Sequence, residues 1–326
     1  MKHLKKYQQS FELALKDFIK NKEPNGLYSP INYLVSQGGK RLRPVLVLMA
    51  SDIFGKKQEK AISAALAIEI FHNFTLMHDD IMDAAPLRRG LPTVHHKWNL
   101  NTGILSGDAM LIQAYQSLEG YDDILYGKLI RLLSQTAMQV CEGQQYDIDF
   151  ESQHKVSQDN YLRMIRLKTG VLLGCALKMG AWIGEAKHND SKAIYDFGVL
   201  LGIAFQIKDD YLDAFGNPSS FGKQLGGDII ENKKTILFHL AMSMGSIIEQ
   251  NQLKKWFASP IERANANNKI KAVKNIFDST GASKACQNLV THYTESAFEN
   301  IHTLDIEDKG KKLFKAFGIY LMNRQF

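Results

Sequence analysis

"AISAALAIEIFHNFTLMHDDIMD", residues 61–83, is apolar on nearly every side and holds neither proline nor glycine. An apolar surface all round marks a helix enclosed by a larger helical protein, not one laid on a surface. The stretch free of both breakers runs from Gly55 to Pro86. Residues 185–215 read the same way, with Gly198 and Gly202 inside and Gly216 at the end. The N-terminal "MKHLKKYQQSFELALKDFIK" spaces Leu4, Tyr7, Phe11, Leu15 and Phe18 as one face of an amphipathic helix. Strand-like alternation is scarce and no strand–helix–strand rhythm is visible. The expected fold is all-α.

The segments between helices are short and polar: "NKEPNG" at 21–26, "AAPLRRGLPT" at 84–93, the glycine-rich "GNPSSFGKQLGG" at 216–227 and "SPIERANANNK" at 259–269. None has the length of an interdomain linker, and no fixed repeat stands out. The expectation is one helical domain over residues 1–326, long enough to bury a sizeable core without disulfides.

Composition narrows the function. The chain has 326 residues, a formal net charge of +6 and three scattered cysteines with no CxxC pair. That usage excludes a disulfide framework or zinc ribbon and fits a reducing, cytoplasmic setting. The charge is mild and spread out, which speaks against nucleic acid and suits a small anionic substrate. No apolar run reaches the ~18 residues of a membrane span. The best candidate, "GVLLGCALKMGAWIG" at 170–184, is broken by Lys178.

Two acidic clusters carry the chemistry. Asp79, Asp80 and Asp83 close the first apolar helix, and Asp209, Asp210 and Asp213 repeat the spacing 130 residues later in "FQIKDDYLDAFG". Residues four apart share a helix face, so each cluster sets two carboxylates side by side. Such a pair costs energy on an apolar helix and calls for positive charge. Hard oxygen donors suit Mg²⁺, which binds one or two carboxylates and completes its shell with water and substrate phosphate. Cations for the phosphate are at hand. "GGKRLRP" offers Lys40, Arg41 and Arg43, Arg88 and Arg89 follow Asp83, and "RLKTG" gives Lys168 and Thr169. The glycine loop gives Lys223, and "GGDIIENKKT" gives Asp228, Lys233 and Lys234. Arginine forks match phosphate oxygens. Acids and arginines are expected to serve one diphosphate site and not each other. His72, two turns before Asp79, is by itself more often a core histidine.

In this order and at about this spacing, "GGKRLRP", "DDIMDAAPLRRG", "KTG", "FQIKDDYLDAFG" and "GKQLGGDIIENK" resemble the motifs of the trans-isoprenyl diphosphate synthases. The resemblance runs from about residue 27 to the C-terminus. It implies a helical bundle around a deep central cavity, usually in a homodimer, joining isopentenyl diphosphate head to tail to an allylic diphosphate (dimethylallyl, geranyl or farnesyl). It implies about three Mg²⁺ ions. Asp79, Asp83 and Asp209 would be the primary ligands, and Asp80, Asp210 and Asp213 further or water-mediated ones. Arg88, Lys168, Lys223 and Lys233 would hold the allylic diphosphate. Lys40, Arg43, His72 and Arg89 would hold isopentenyl diphosphate. Thr169 and Gln206 would stabilise the allylic cation, and the released diphosphate would take the proton.

The resemblance also places a floor for the growing chain five residues before the first aspartate, at Phe74, with Thr75 beside it and Phe71 nearly a turn deeper. Phe74 lies ~7–8 Å up the helix from Asp79. A ring there implies a short product, farnesyl or geranylgeranyl diphosphate, with geranylgeranyl favoured. The alternatives are a longer-chain polyprenyl synthase, a class I terpene cyclase or a non-catalytic synthase subunit. The intact "DDYLD" and the full basic set count against the last two. The tail "YLMNRQF" carries only one basic residue, Arg324, and so departs from a basic C-terminal closure over the phosphate.

Overall fold

The computed structural model describes residues 2–153, 156–217, 225–258 and 266–323. Lys223 and Arg324 lie outside them. The described chain is helical almost throughout, as expected. It falls into two compact units. One is Met1–Gln135 with Cys175–Lys192, and the other is Thr136–Gly174 with Ala193–Phe326.

The first unit holds α1 (Lys2–Phe18), α2 (Asn25–Ser36), α3 (Leu42–Ile53), a short 3-10 turn at Gln58–Ala61, α4 (Ile62–Met82), α5 (Val94–Lys97), α6 (Leu100–Gln116) and the start of α7 (Asp123–Ser152). The apolar stretch 61–83 is α4, matched within one residue at each end. It packs on α3 and α6, and Ala64, Ala65, Ala67, Ile68, Ile70 and Phe71 are inaccessible. Tyr7, Phe11 and Leu15 form the buried stripe of α1. α9 (Val171–Ile183) reaches this unit from Cys175 on. There Gly180 lets it approach α3 closely, since a Cβ would stand 2.2 Å from the carbonyl oxygen of Val47.

"AAPLRRGLPT" forms a two-stranded hairpin, Leu87–Arg88 against Leu91–Pro92. Its two loop residues, Arg89 and Gly90, both have positive φ, 53° and 78°. This is the turn that suits the twist of paired strands.

The second unit contains α8 (Gln158–Ile165), a π turn at Arg166–Gly170, most of α10 (His188–Phe215), α11 (Gly227–Ile230), α12 (Ile236–Met244), α13 (Ile247–Phe257), α14 (Ala266–Ser279), α15 (Ala282–His302) and α16 (Asp308–Met322). The polar connection expected to run to residue 269 therefore ends at Ala266, where α14 begins. Small residues bring α10 against the chain at the start of α9. A Cβ on Gly202 would lie 2.6 Å from the Cα of Gly170. Ile203, Ile207, Ile236, Leu237, Val273 and Phe277 fill the core around them.

Candidate active site

In the first unit, basic residues gather at the end of α4. Arg43, in the first turn of α3, extends Nη1 to Nε2 of His72 at 3.1 Å. Its Nε is buried and makes no hydrogen bond, and burial pushes the guanidinium down to about 10. His72 is held well below the ordinary histidine value, first by burial and then by the charges of Arg43, Arg89, Arg88 and Arg41. It is therefore neutral, and a ring that accepts from Arg43 at Nε2 carries its proton on Nδ1. Arg89 is pinned by its positive φ and by donating to the carbonyl of Gly38, with its guanidinium against Gly39. Lys40 is exposed on the same glycine loop. Arg43, Arg88 and Arg89 thus all act electrostatically on His72, although the motif resemblance assigns Arg88 to the other substrate, and a basic cluster of this kind is a candidate anion site.

Arg41 is not part of it. It caps α3 in the left-handed conformation, buried, and donates to Glu69 at 2.6 Å and to the carbonyl of Val35 at 2.6 Å. Sequence spacing alone does not separate it from Arg43.

The aspartates and arginines were expected to ignore one another, and for one pair the structure differs. Asp80 is 3% exposed, and Arg88 grips it with Nε at 2.9 and 2.8 Å and Nη2 at 2.8 Å. The hairpin turns Arg88 back on α4 and makes this fork possible. Asp79 is partly buried and Asp83 exposed at the C-terminal cap of α4.

Above them on α4, Phe74 is half-buried, 5.7 Å from the ring of Phe71 and 4.8 Å from that of His78. Phe71 is fully buried. The Thr75 hydroxyl donates to the carbonyl of His72 at 2.8 Å. The His78 imidazole occupies the notch left by Gly107 on α6, where a Cβ would meet Nε2 at 2.2 Å.

In the second unit the π turn carries Lys168 and Thr169. A π turn widens a helix locally and is frequent at functional sites. Gly143 of α7 makes room for it, since a Cβ there would lie 2.4 Å from the Lys168 nitrogen. Lys168 Nζ donates to Asp147 Oδ2 at 2.6 Å, and Lys233 Nζ lies 3.7 Å from the same oxygen. Burial pushes the Asp147 carboxyl up, but the charges of Lys233 and Lys168 outweigh it and hold the group below its ordinary value. Asp147 was missed from the sequence. The available signal is that Gly143, Gln144, Phe150 and Glu151, its neighbours on the helix face, include no cation.

Thr169 donates to Gln206 Oε1 at 3.1 Å, and Gln206 Nε2 donates to Asp210 Oδ1 at 3.2 Å. The motif reading puts Asp210 among the metal ligands. The structure instead turns it into the core, 4% exposed, with Oδ2 accepting from Tyr161 and, at 3.5 Å, from the Ile236 amide. Burial and Asp228 push it up to about 7. Asp209 and Asp213 are partly exposed. Asp213 accepts from the Asp228 amide at 3.1 Å, and burial and Asp228 push it up to about 6. The loop behind them is fixed from below by Lys269, inaccessible at 0% exposure, which donates to Asn232.

Carboxyls pushed up by burial and by a neighbouring carboxylate, as Asp213 is, gain from a divalent cation. Among the described residues no three His, Cys, Asp or Glu side chains form a protein-only metal cage, and Mg²⁺ does not need one. Within the first unit Asp79 and Asp83, and within the second Asp209 and Asp213, are partly or fully exposed carboxylates of the kind such an ion accepts.

A raised carboxyl binds its proton more tightly folded than unfolded. Stability therefore falls as pH rises from the unfolded value toward the folded one, and levels off above it. For Asp213 that window runs from its ordinary 3.8 to about 6. Without divalent cation, Asp213→Asn is expected to be more stable than wild type at pH 7.5 by about 1–2 kcal/mol, allowing for solvent screening. The difference should shrink toward pH 4 in thermal melts. A constant difference across the range would show that Asp213 does not titrate in this window.

The sequence profile of the polyprenyl synthetase family matches residues 24–277. A geranylgeranyl pyrophosphate synthase of Geoglobus acetivorans is 37% identical over 313 residues, covering 95% of this chain and 94% of that one. A geranylgeranyl diphosphate synthase of Methanosarcina mazei is 34% identical over 325 residues, covering 99% and 97%. A crystal structure of a geranylgeranyl pyrophosphate synthase superposes with a TM-score of 0.96 at 48% identity, covering 99% of each chain. No described helix is long and apolar enough to cross a membrane. Matches of this extent, on a chain whose motif residues gather as described, make it a member of the polyprenyl synthetase family and a prenyltransferase.

Proposed function

We propose that the protein condenses isopentenyl diphosphate with an allylic diphosphate and releases geranylgeranyl diphosphate. The arginine cluster around neutral His72 carries this reading, because a second diphosphate substrate needs its own cationic site. Arg43, Arg89 and Lys40 hold the isopentenyl diphosphate, with the Nδ1–H of His72 as a neutral donor. Lys168 and Lys233 hold the allylic diphosphate, a role the motif resemblance also gives to Lys223 and Arg88. Asp79, Asp83, Asp209 and Asp213 hold Mg²⁺, which when bound supplies Lewis-acid stabilisation of the departing diphosphate. Asp210 and Asp80 act as positioning groups, one through Gln206 and the other through Arg88. Thr169 and Gln206 present oxygen dipoles to the allylic cation, fixed in advance by their hydrogen bonds. The isopentenyl double bond attacks C1 of the allyl group, and the proton lost from the adduct passes to an oxygen of the released diphosphate. The family profile extends across parts of both units, which supports their working as one catalytic domain.

Purified protein incubated with Mg²⁺, isopentenyl diphosphate and each allylic starter tests the reading. The expected outcome is a C20 product, abolished by EDTA. Absence of condensation with every starter would sink it.

The half-buried ring of Phe74 supports the short product. Phe74→Ala is expected to shift the product by one or more C5 units, read by mass spectrometry of the dephosphorylated alcohols. An unchanged C20 distribution would remove Phe74 as the floor, and a wild-type product beyond C25 would favour the longer-chain alternative.

Leu100, Ile104, Leu105 and Ile112 leave one side of α6 apolar and exposed. Apolar patches of this kind mark interaction sites and support a homodimer. Ile112→Glu is expected to convert a dimer to a monomer at micromolar concentration in light scattering. A monomeric wild type would overturn the assignment.

A further inference from the structure

From Val171 to Ile183, α9 is buried at every position except Lys178 and Trp182. The two lie one turn apart, with Lys178 Nζ 5.0 Å from the indole centroid. A helix otherwise enclosed on all sides has no packing reason to carry a lysine. Both side chains open on a cavity of about 350 Å³, whose other walls include Lys128, Arg131 and Gln135 from one face of α7 and His188 at the start of α10.

Among the described residues no carboxylate lines this cavity. Lys128 and Arg131 form no ion pair with any described residue. Asp190, the acid in the first turn of α10, is buried and is not a wall of the cavity. Lys128, Arg131, Lys178 and His188 thus line one cavity at the positive end of a 28-residue helix. Like charges gathered at one cavity favour the binding of an anion. The guanidinium fork of Arg131 suits paired phosphate oxygens, and the lysines add point charges. The cavity shares no residue with the candidate active site.

We propose that this cavity is a second, non-catalytic binding site for a diphosphate group. The group comes either as free inorganic diphosphate or as the head of a prenyl diphosphate whose first carbons lie on Trp182.

The test uses the full chain with Trp98→Phe and Trp256→Phe, so that Trp182 is the sole indole, in EDTA. Inorganic diphosphate and geranylgeranyl diphosphate are titrated in turn. A saturable change in Trp182 emission is expected, weakened at least about tenfold in the Lys128→Ala, Arg131→Ala double variant. Equal affinity for the two ligands identifies the free anion as sufficient, and at least about tenfold tighter binding of the prenyl compound identifies the lipid headgroup. Both outcomes support the site. No saturable change up to millimolar ligand, or one unaffected by the double variant, overturns it. The double variant should also keep prenyl transfer within about twofold of wild type, measured below saturation of the site. A large loss there would place these residues in the catalytic machinery and overturn the proposal of a separate site. Failure of the catalytic reading would appear differently, as absence of condensation in the wild type.

Discussion

Asp80→Ala is expected to lower prenyl transfer by two to three orders of magnitude, about the loss seen when one fixed electrostatic group is removed from an active site. The reason is local. Asp80 is almost completely buried, and Arg88 reaches it with its Nε and Nη2 at 2.8–2.9 Å. Without the carboxylate, the guanidinium loses the anchor that holds the hairpin residue toward α4, and a displacement of about 1 Å can cost a hundredfold. Asp80→Asn tests charge against shape. The amide keeps the volume but turns an N–H toward the guanidinium, so its loss should approach that of alanine. A double-mutant cycle with Arg88→Ala separates the roles. If Asp80 acts only through Arg88, the double variant is no worse than Arg88→Ala alone. Activity of Asp80→Ala within about tenfold of wild type would remove the residue from any catalytic role.

This pair also marks where sequence reading stopped. The all-helical fold was legible because α4 and α10 are long, apolar and free of proline. The aspartate clusters were legible because their spacing repeats on two such helices. The partners of those aspartates were not. Arg88 lies eight residues from Asp80, beyond the reach of helix periodicity, and only a hairpin with two residues per strand folds it back. Strands that short leave no alternation to read. "RLKTG" looks like ordinary helix in sequence. Its π geometry depends on Gly143, more than twenty residues earlier. Asp210 carries the motif spacing yet faces the core, because Tyr161 and Gln206 supply it with donors there.

Asp147 gives the clearest test of a residue found only in three dimensions. Asp147→Asn is expected to lower kcat about a hundredfold while changing KM much less. The wild-type carboxylate holds Lys168 at 2.6 Å and Lys233 at 3.7 Å from one oxygen. The amide cannot neutralise two ammonium groups, so they separate. Both still attract a diphosphate, which preserves ground-state binding. They no longer meet the departing charge from fixed positions, and that part of the stabilisation belongs to kcat. A purely structural role would lower the melting temperature and leave the kcat-to-KM split unmoved. The acid limb adds a second readout. A carboxyl held below its ordinary value contributes stability that is complete above 3.8 and is lost as pH falls through its folded value. The asparagine variant should therefore be less stable than wild type at neutral pH and approach it only below pH 4. A melting temperature lowered by the same amount at every pH, with kcat within about threefold of wild type, would reduce Asp147 to a packing residue beneath the lysines.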